Sequence, residues 1–279
     1  MQAHSPSRGN SPSDDMRLII LGSGSTGNAL YIESGDTRVL IDAGLSGKET
    51  ARRMNDAGVD PARLNAIVIT HEHTDHVKGL HVISKTTQAP VFVSGATRAE
   101  CHFKQDPDEI NWGQEINSSE PFQIGNIDFY PFSIPHDGVD TFAFTVESRG
   151  IKMALVTDLG FITRLVVERL RGCDLVIVES NHDRDMLKIG PYPWSLKQRI
   201  ASKLGHLSND ETARWIREDF DGRAAYIVLA HISRHCNHPE LARLTALDAL
   251  GAHGSLFFRD PERRLKIAPH DRATEWFQL

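Results

Sequence analysis

The chain is poor in cysteine, in positive charge and in long apolar runs, and each shortage excludes something. Cys101, Cys173 and Cys236 are the only 3 cysteines in 279 residues and form no C-x-x-C pair. Neither a disulfide framework nor a thiolate zinc site is expected. The 31 Lys and Arg face 37 Asp and Glu, a formal charge of −6. Such a chain is no polycation built to wrap nucleic acid, and any such contact must come from a local patch. No apolar run approaches the roughly 18–20 residues that span a bilayer. The opening MQAHSPSRGNSPSDD is polar and lacks the apolar core of a secretory signal. The expectation is a disordered leader over 1–15, one domain over 16–279, no membrane partner and a cytoplasmic location.

Histidine, by contrast, is abundant, with 14 copies, and it is the residue of metal sites and of proton transfer near neutral pH. Short Val/Ile-rich runs read as buried strands, and several hand over to a chemical side chain. RVLIDAG delivers Asp42, NAIVITHEHTDH a cluster from His71, and FYPFSIPHD delivers His136. KMALVTDLG delivers Asp158, LVIVESNHD Glu179 and His182, and YIVLAHIS His231. Rigid sheets can aim several such ends at one point. Capping boxes at Ser46–Glu49 and Ser208–Glu211 open helices expected to run to Gly58 and about Phe220, and Pro239 starts another through Leu250. The segment 109–147 reads as antiparallel sheet. Strands both bunched and interleaved with helices predict an α/β (α+β) fold of two sheets with helices outside.

Gly22-Ser23-Gly24-Ser25-Thr26-Gly27 fits G-x-G-x-x-G, with Asp42 about twenty residues on. A dinucleotide site needs a helix there, whereas NALYIESGDTRVLID reads as two strands around a turn. A tight glycine turn is therefore expected, with amides free to face a phosphate.

His71-Glu72-His73-Thr74-Asp75-His76 is the most specific feature. On a helix, positions i and i+2 point about 200° apart. In a loop, His71 and His73 can converge on one ion while Asp75 and His76 turn to a second. Imidazoles and a carboxylate suit Zn²⁺, Mn²⁺ or Fe.

This motif resembles the metallo-β-lactamase-fold hydrolases over nearly the whole chain from Met16. The family's strand-end aspartate, H-x-H-x-D-H, lone histidine, aspartate and final histidine are met in order by Asp42, His71/His73/Asp75/His76, His136, Asp158 and His231. The resemblance implies an αββα sandwich of two mixed sheets flanked by helices. His71, His73 and His136 would hold one metal, and Asp75, His76 and His231 the other. Asp158 would bridge them, and Asp42 would orient a ligand histidine. GSGSTGNA, ESNHD, GPYPWSLK, GHLSN and HIS followed by Asn237 are similar to the YycJ (WalJ)-like group, which implies a nuclease or phosphodiesterase.

Two cations sharing a carboxylate can hold a bridging hydroxide at neutral pH. The expected activity is thus dinuclear-metal phosphodiester hydrolysis, most simply an exonuclease on DNA or RNA, with Asp75 able to accept a proton. A small cyclic phosphodiester, thioester or lactone is the alternative substrate. His182 and His206 are candidates for holding the scissile phosphate or protonating the leaving oxygen, and His206 competes with His231 as last ligand. Between Arg184 and His206 lie Arg184, Lys188, Lys197, Arg199 and Lys203 against a single acid, Asp185. Arg184 and Lys197 could grip a nucleic-acid backbone while Trp194 stacks on a base.

Overall fold

The computed structural model describes residues 16–102 and 106–279; the stretch read as a leader lies outside them. Alternation with a period of two builds the layers. In β1 (Arg17–Gly22), Leu18 and Ile20 face one core while Ile19 and Leu21 face another. Continuing in chain order, β2 (Ala29–Ser34), β3 (Thr37–Ile41), β4 (Ala66–Val68), β5 (Val91–Val93) and β6 (Trp112–Glu115) extend the first sheet. The second contains β7 (Phe122–Ile124), β8 (Ile127–Ser133), β9 (Phe142–Ser148), β10 (Ile151–Val156), β11 (Leu175–Glu179), β12 (Tyr226–Ala230) and β13 (Leu265–Ile267). Finally β14 (Phe277–Gln278) returns to pair with β1.

The sheet orders are β14-β1-β2-β3-β4-β5-β6 and β13-β12-β11-β10-β9-β8-β7. Each sheet is antiparallel in one part and parallel in the other. In the first, β3 through β6 run parallel; in the second, β10 through β13 do. The inner faces meet in a core that includes Leu18, Ile20, Phe129, Phe144, Ile177 and Val228. On the outside, helices Gly47–Asp56 and Leu80–Thr87 cover the first sheet through Met54, Leu80 and Ile83. Helices Arg164–Leu170, Asn209–Glu218 and Pro239–His253 cover the second through Val166, Trp215 and Ala246. The expected αββα sandwich is the architecture observed.

Ser46 and Ser208 cap their helices by accepting the backbone N–H of Glu49 and Glu211. The Pro239 helix runs to His253, three residues past the expected end, and stops at Gly254 in the left-handed conformation. One expectation fails. Within 109–147, β6 is not part of an antiparallel meander: it lies parallel to β5 at the edge of the first sheet. Only β7, β8 and β9 form the meander. The loop after β6 carries the chain from one sheet to the other, and short strands give no local sign of which sheet they join. Among the described residues no helix is long and apolar enough to cross a membrane.

Phe129 is fully buried between the sheets, with its ring 5.0 Å from that of Phe122 and 6.2 Å from that of Phe144. Phe129→Ala should lower unfolding free energy by about 3–5 kcal/mol, read as a drop in Tm and in denaturant midpoint. An unchanged midpoint would mean the inter-sheet core does not carry the fold.

Candidate metal centre

The parallel strands end together, and their ends carry the chemistry. Asp42 follows β3, His71 lies just beyond β4, Asp158 beyond β10, Glu179 closes β11 and His231 follows β12. Ligands bind outside the carboxyl ends of strands in such sheets. Three of these residues turn sharply: Asp42, Asp158 and His231 have φ of 61°, 62° and 53°. Side chains other than glycine avoid this left-handed region, and each such residue costs of order 1–3 kcal/mol. The strain is held by hydrogen bonds. Asp42 N donates to Val68 O at 2.8 Å and His231 N to Ser23 Oγ at 2.7 Å.

Two buried carboxylates aim the histidines. Asp42 accepts Thr70 N at 2.9 Å, the Thr70 hydroxyl at 3.0 Å and His76 Nδ1–H at 2.8 Å. That leaves His76 Nε2 on the other side of the ring, 3.4 Å from Asp158 Oδ2. Glu179 is wholly buried. Its Oε1 accepts His206 Nδ1–H at 2.9 Å and His231 Nδ1–H at 2.8 Å. Its Oε2 accepts Leu159 N and Leu207 N, both at 3.1 Å. Burial opposes ionisation of Glu179, but His206 and His231 outweigh it and hold the carboxyl down at about 2. Sequence reasoning noticed Glu179 only as a strand-end residue and assigned it no part in the site. Its signal was a charge at the end of a wholly apolar strand.

The remaining donors face one another at long hydrogen-bond distances, close to the spacing of two ligands on a shared ion. His73 Nδ1 lies 3.2 Å from His136 Nε2, whose Nδ1 faces Gly205 O. His231 Nε2 is 3.4 Å from both Asp75 Oδ2 and Asp158 Oδ1, and His76 Nε2 is 3.4 Å from Asp158 Oδ2. Two nitrogens each about 2.0–2.1 Å from a tetrahedral zinc sit about 3.3 Å apart. His71 Nε2 and Asp158 Oδ2 are buried without any hydrogen-bond partner, which a native core tolerates only where something else takes the lone pair. The ligand atoms of His71, His73 and His136 lie within 4.8 Å of one another, as do those of Asp75, His76 and His231. Asp158 groups with His71 and His76, and also with Glu179, His206 and His231. These residues fit divalent metal ions, and the donors, nitrogen and oxygen without thiolate, suit Zn²⁺, Mn²⁺ or Fe. As between His206 and His231, the latter faces Asp75 and Asp158, while His206 Nδ1 is turned to Glu179 and stands 3.8 Å from Asp158.

Electrostatics reinforce the arrangement. Burial pushes His71 well below its ordinary value, so it is a neutral imidazole. Burial also opposes charging of His76 and His231, yet the carboxylates around them prevail and raise both. His76 and His231 in turn hold Asp75 at about 2 against its own burial. Asp75 and His76 sit on the one-turn helix Thr74–Val77, so only the first half of the motif is loop.

The glycine-rich turn belongs to this site by a different route from the one its pattern suggested. Two of its amides and the one after it are occupied: Gly24 N donates to Asn28 Oδ1, Gly27 N to Gly24 O and Asn28 N to Asp75 O, while Ser25 lines the metal cleft. Asn28 Nδ2 lies 3.2 Å from Asp75 Oδ2 and 2.9 Å from His76 Nε2. A Cβ on Gly44 would fall 1.5 Å from Asp75 O, so glycine there lets two backbones touch behind the motif.

The metal cleft has a volume of about 410 Å³ and is lined by His73, Asp75, Asp158, His206 and His231, with Arg199 and Tyr192 also on its wall. Arg199 is ion-paired with Asp137, whose Oδ1 lies 3.6 Å from His73 Nε2. The other expected substrate residues lie elsewhere. Arg184, Lys197, Trp194 and His182 line a second cavity, of about 450 Å³, that shares His206 with the cleft. Burial pushes His182 down to about 4, so at neutral pH it has no extra proton to give a leaving oxygen. The basic segment is also less basic than its residue count. Arg184 pairs with Asp210 and Glu211, and Lys188 with Asp185. Asp185 lies inside the segment, whereas Asp210 and Glu211 come from beyond it.

Fold and donor set together define a metallo-β-lactamase-fold centre. The chain belongs to the β-lactamase superfamily, whose domain model, described as "Beta-lactamase superfamily domain", matches residues 37–232, and within it to the YycJ-like group. It is 34% identical over 241 residues to the exodeoxyribonuclease YycJ of Bacillus anthracis, covering 86% of this chain and 90% of that protein. It is 33% identical over 238 residues to the exodeoxyribonuclease WalJ of Streptococcus pneumoniae, covering 84% and 88%. The crystal structure of the metallo-β-lactamase-fold protein YhfI from Bacillus subtilis superposes with a TM-score of 0.70 at 17% identity, over 94% of this chain and 100% of that one. That likeness is one of fold.

Glu179→Gln should weaken zinc binding about 10- to 100-fold, the usual cost of losing an outer-shell partner, measured by competition with a chromophoric chelator. Gly44→Ala should do the same by displacing Asp75. Wild-type affinity in both folded variants would contradict this account of how the ligands are held.

Proposed function

We propose that this protein is a dinuclear-metal phosphodiesterase acting on nucleic acid, with exonucleolytic cleavage of DNA as its reaction. The observation that carries the reading is the complete donor set, two triads joined by Asp158, in a chain similar over most of its length to proteins named exodeoxyribonucleases. His71, His73 and His136 would hold one divalent ion, Asp75, His76 and His231 the other, and Asp158 would touch both. Bound there, divalent ions supply water acidified to near neutrality and Lewis acidity toward phosphoryl oxygens.

The chain's own groups do the rest. Arg199, anchored by Asp137 on the wall of the cleft, binds a phosphoryl oxygen. Asp75, partly open to the cleft, orients the attacking water and accepts its proton. His206 donates Nδ1–H to Glu179, which fixes the ring and leaves Nε2 to hydrogen-bond the leaving oxygen. No serine or cysteine nucleophile is required.

The test is incubation of Mn²⁺- or Zn²⁺-reconstituted protein with end-labelled single- and double-stranded DNA and RNA. Stepwise loss of terminal nucleotides is expected from DNA, stopped by chelator. Asp158→Asn should reduce the rate by more than the roughly 100-fold of outer-shell changes. Intact strands with both metals, alongside hydrolysis of a thioester or lactone, would overturn the nuclease reading in favour of a small-molecule substrate.

A further inference from the structure

The second cavity has no part in the chemistry above, yet it opens beside it. His206 lines both spaces, so a ligand lying over the cleft can continue across that ring without leaving the surface. At about 450 Å³ it falls within the range of sites that hold small organic ligands. Two aromatic rings stand on its wall. Trp194, in the first turn of the helix Trp194–Ile200, is 69% exposed, and Phe161 is 37% exposed. Among the described residues neither makes a contact with another ring. Large exposed aromatic surface of this kind is costly in water and marks contact sites.

The charges around the rings sort into two groups. Arg184 and Lys188 are committed to carboxylates. Lys197 has only the carbonyl of Lys188 as its acceptor, and among the described residues Lys203 makes no ion pair. The floor contains His182, 3% exposed, whose Nδ1 has no hydrogen-bond partner. Its backbone is pinned, since its carbonyl accepts Asn209 N at 2.9 Å. A buried histidine on the wall, two exposed aromatic rings and two lysines without ion pairs, beside a Glu211 already paired with Arg184, suit one ligand class: a flat heterocycle with polar edges, attached to an anionic backbone.

We infer that this cavity is a subsite for an unpaired nucleobase next to the bond being cut, with Trp194 and Phe161 as stacking faces, His182 meeting the base edge, and Lys197 and Lys203 holding the adjoining phosphate. The inference rests on the nuclease reading and adds a requirement to it. A base must leave its helical stack to enter, so single strands and frayed ends are the substrates that reach the cleft. Stacking discriminates little among bases, which predicts weak sequence preference.

The test uses a single-stranded oligonucleotide carrying 2-aminopurine near its end, with bis(p-nitrophenyl) phosphate as a baseless reference substrate. Trp194→Ala should raise KM for the oligonucleotide by about 5- to 150-fold, the effect of losing one base stack. Its kcat/KM for the oligonucleotide should fall relative to that for the reference, and Trp194→Phe should recover most of the loss. Quenching of 2-aminopurine fluorescence on mixing with chelator-treated protein should weaken in parallel. Lys197→Ala and Lys203→Ala should each flatten the salt dependence of binding by about 0.7 in log–log slope. If Trp194→Ala leaves both KM and quenching as in wild type while DNA is still cut, the subsite fails and the nuclease reading stands. If wild-type protein hydrolyses the reference substrate but neither cuts nor quenches the oligonucleotide, both fail.

Discussion

Ionised carboxylates buried beneath a β-sandwich are the constraint on which this structure turns. An unpaired buried carboxylate costs far more than a domain's net stability, so Asp42, Asp158 and Glu179 must be surrounded by donors or cations. Glu179 satisfies the condition outright with four donors, two from backbone amides and two from imidazoles. Asp42 does so with a threonine and a histidine. Asp158 is left with an oxygen that no hydrogen bond reaches. Two carboxylates are thus spent on aiming histidines, and the third is kept for the cleft.

Much else follows from that division. The left-handed turns at Asp42, Asp158 and His231 bring side chains from two sheets to one point, at an energetic cost that the network offsets. Gly44 lets the one-turn helix carrying Asp75 press against the turn after β3. The glycine turn at residues 22–27, which resembles a phosphate cradle in sequence, is consumed in bracing Asn28, Asp75 and the His231 backbone. Each of these is local strain or close approach that only a rigid scaffold sustains.

Charge shows the same economy. An acidic chain can serve an anionic substrate when its positive charge is concentrated in a cleft and a few lysines. Arg199 lines the metal cleft and Lys197 and Lys203 line the cavity next to it, with His206 common to both.

The fold class, the two-sheet layering and the identity of the histidines and aspartates were legible in the sequence, because strand periodicity and a six-residue motif are local patterns. Asp42 was legible too, as the residue after a buried strand. Other features were not. β6 gave no sign of which sheet it joins, because a short strand pairs according to its partners. Glu179 looked like any strand-end acid until two histidines and two amides from other segments met on it. The Arg184–Lys203 run read as a basic patch because Asp137, Asp210 and Glu211, which neutralise part of it, lie outside it in sequence. His182, three residues from Glu179, faces a different cavity because one turn of backbone separates the two. By itself, then, the sequence determined which chemical groups are present and on which strand ends they ride. Tertiary structure alone decided which of them share a point in space, since hydrogen-bond partners and counter-charges come from segments far apart in the chain.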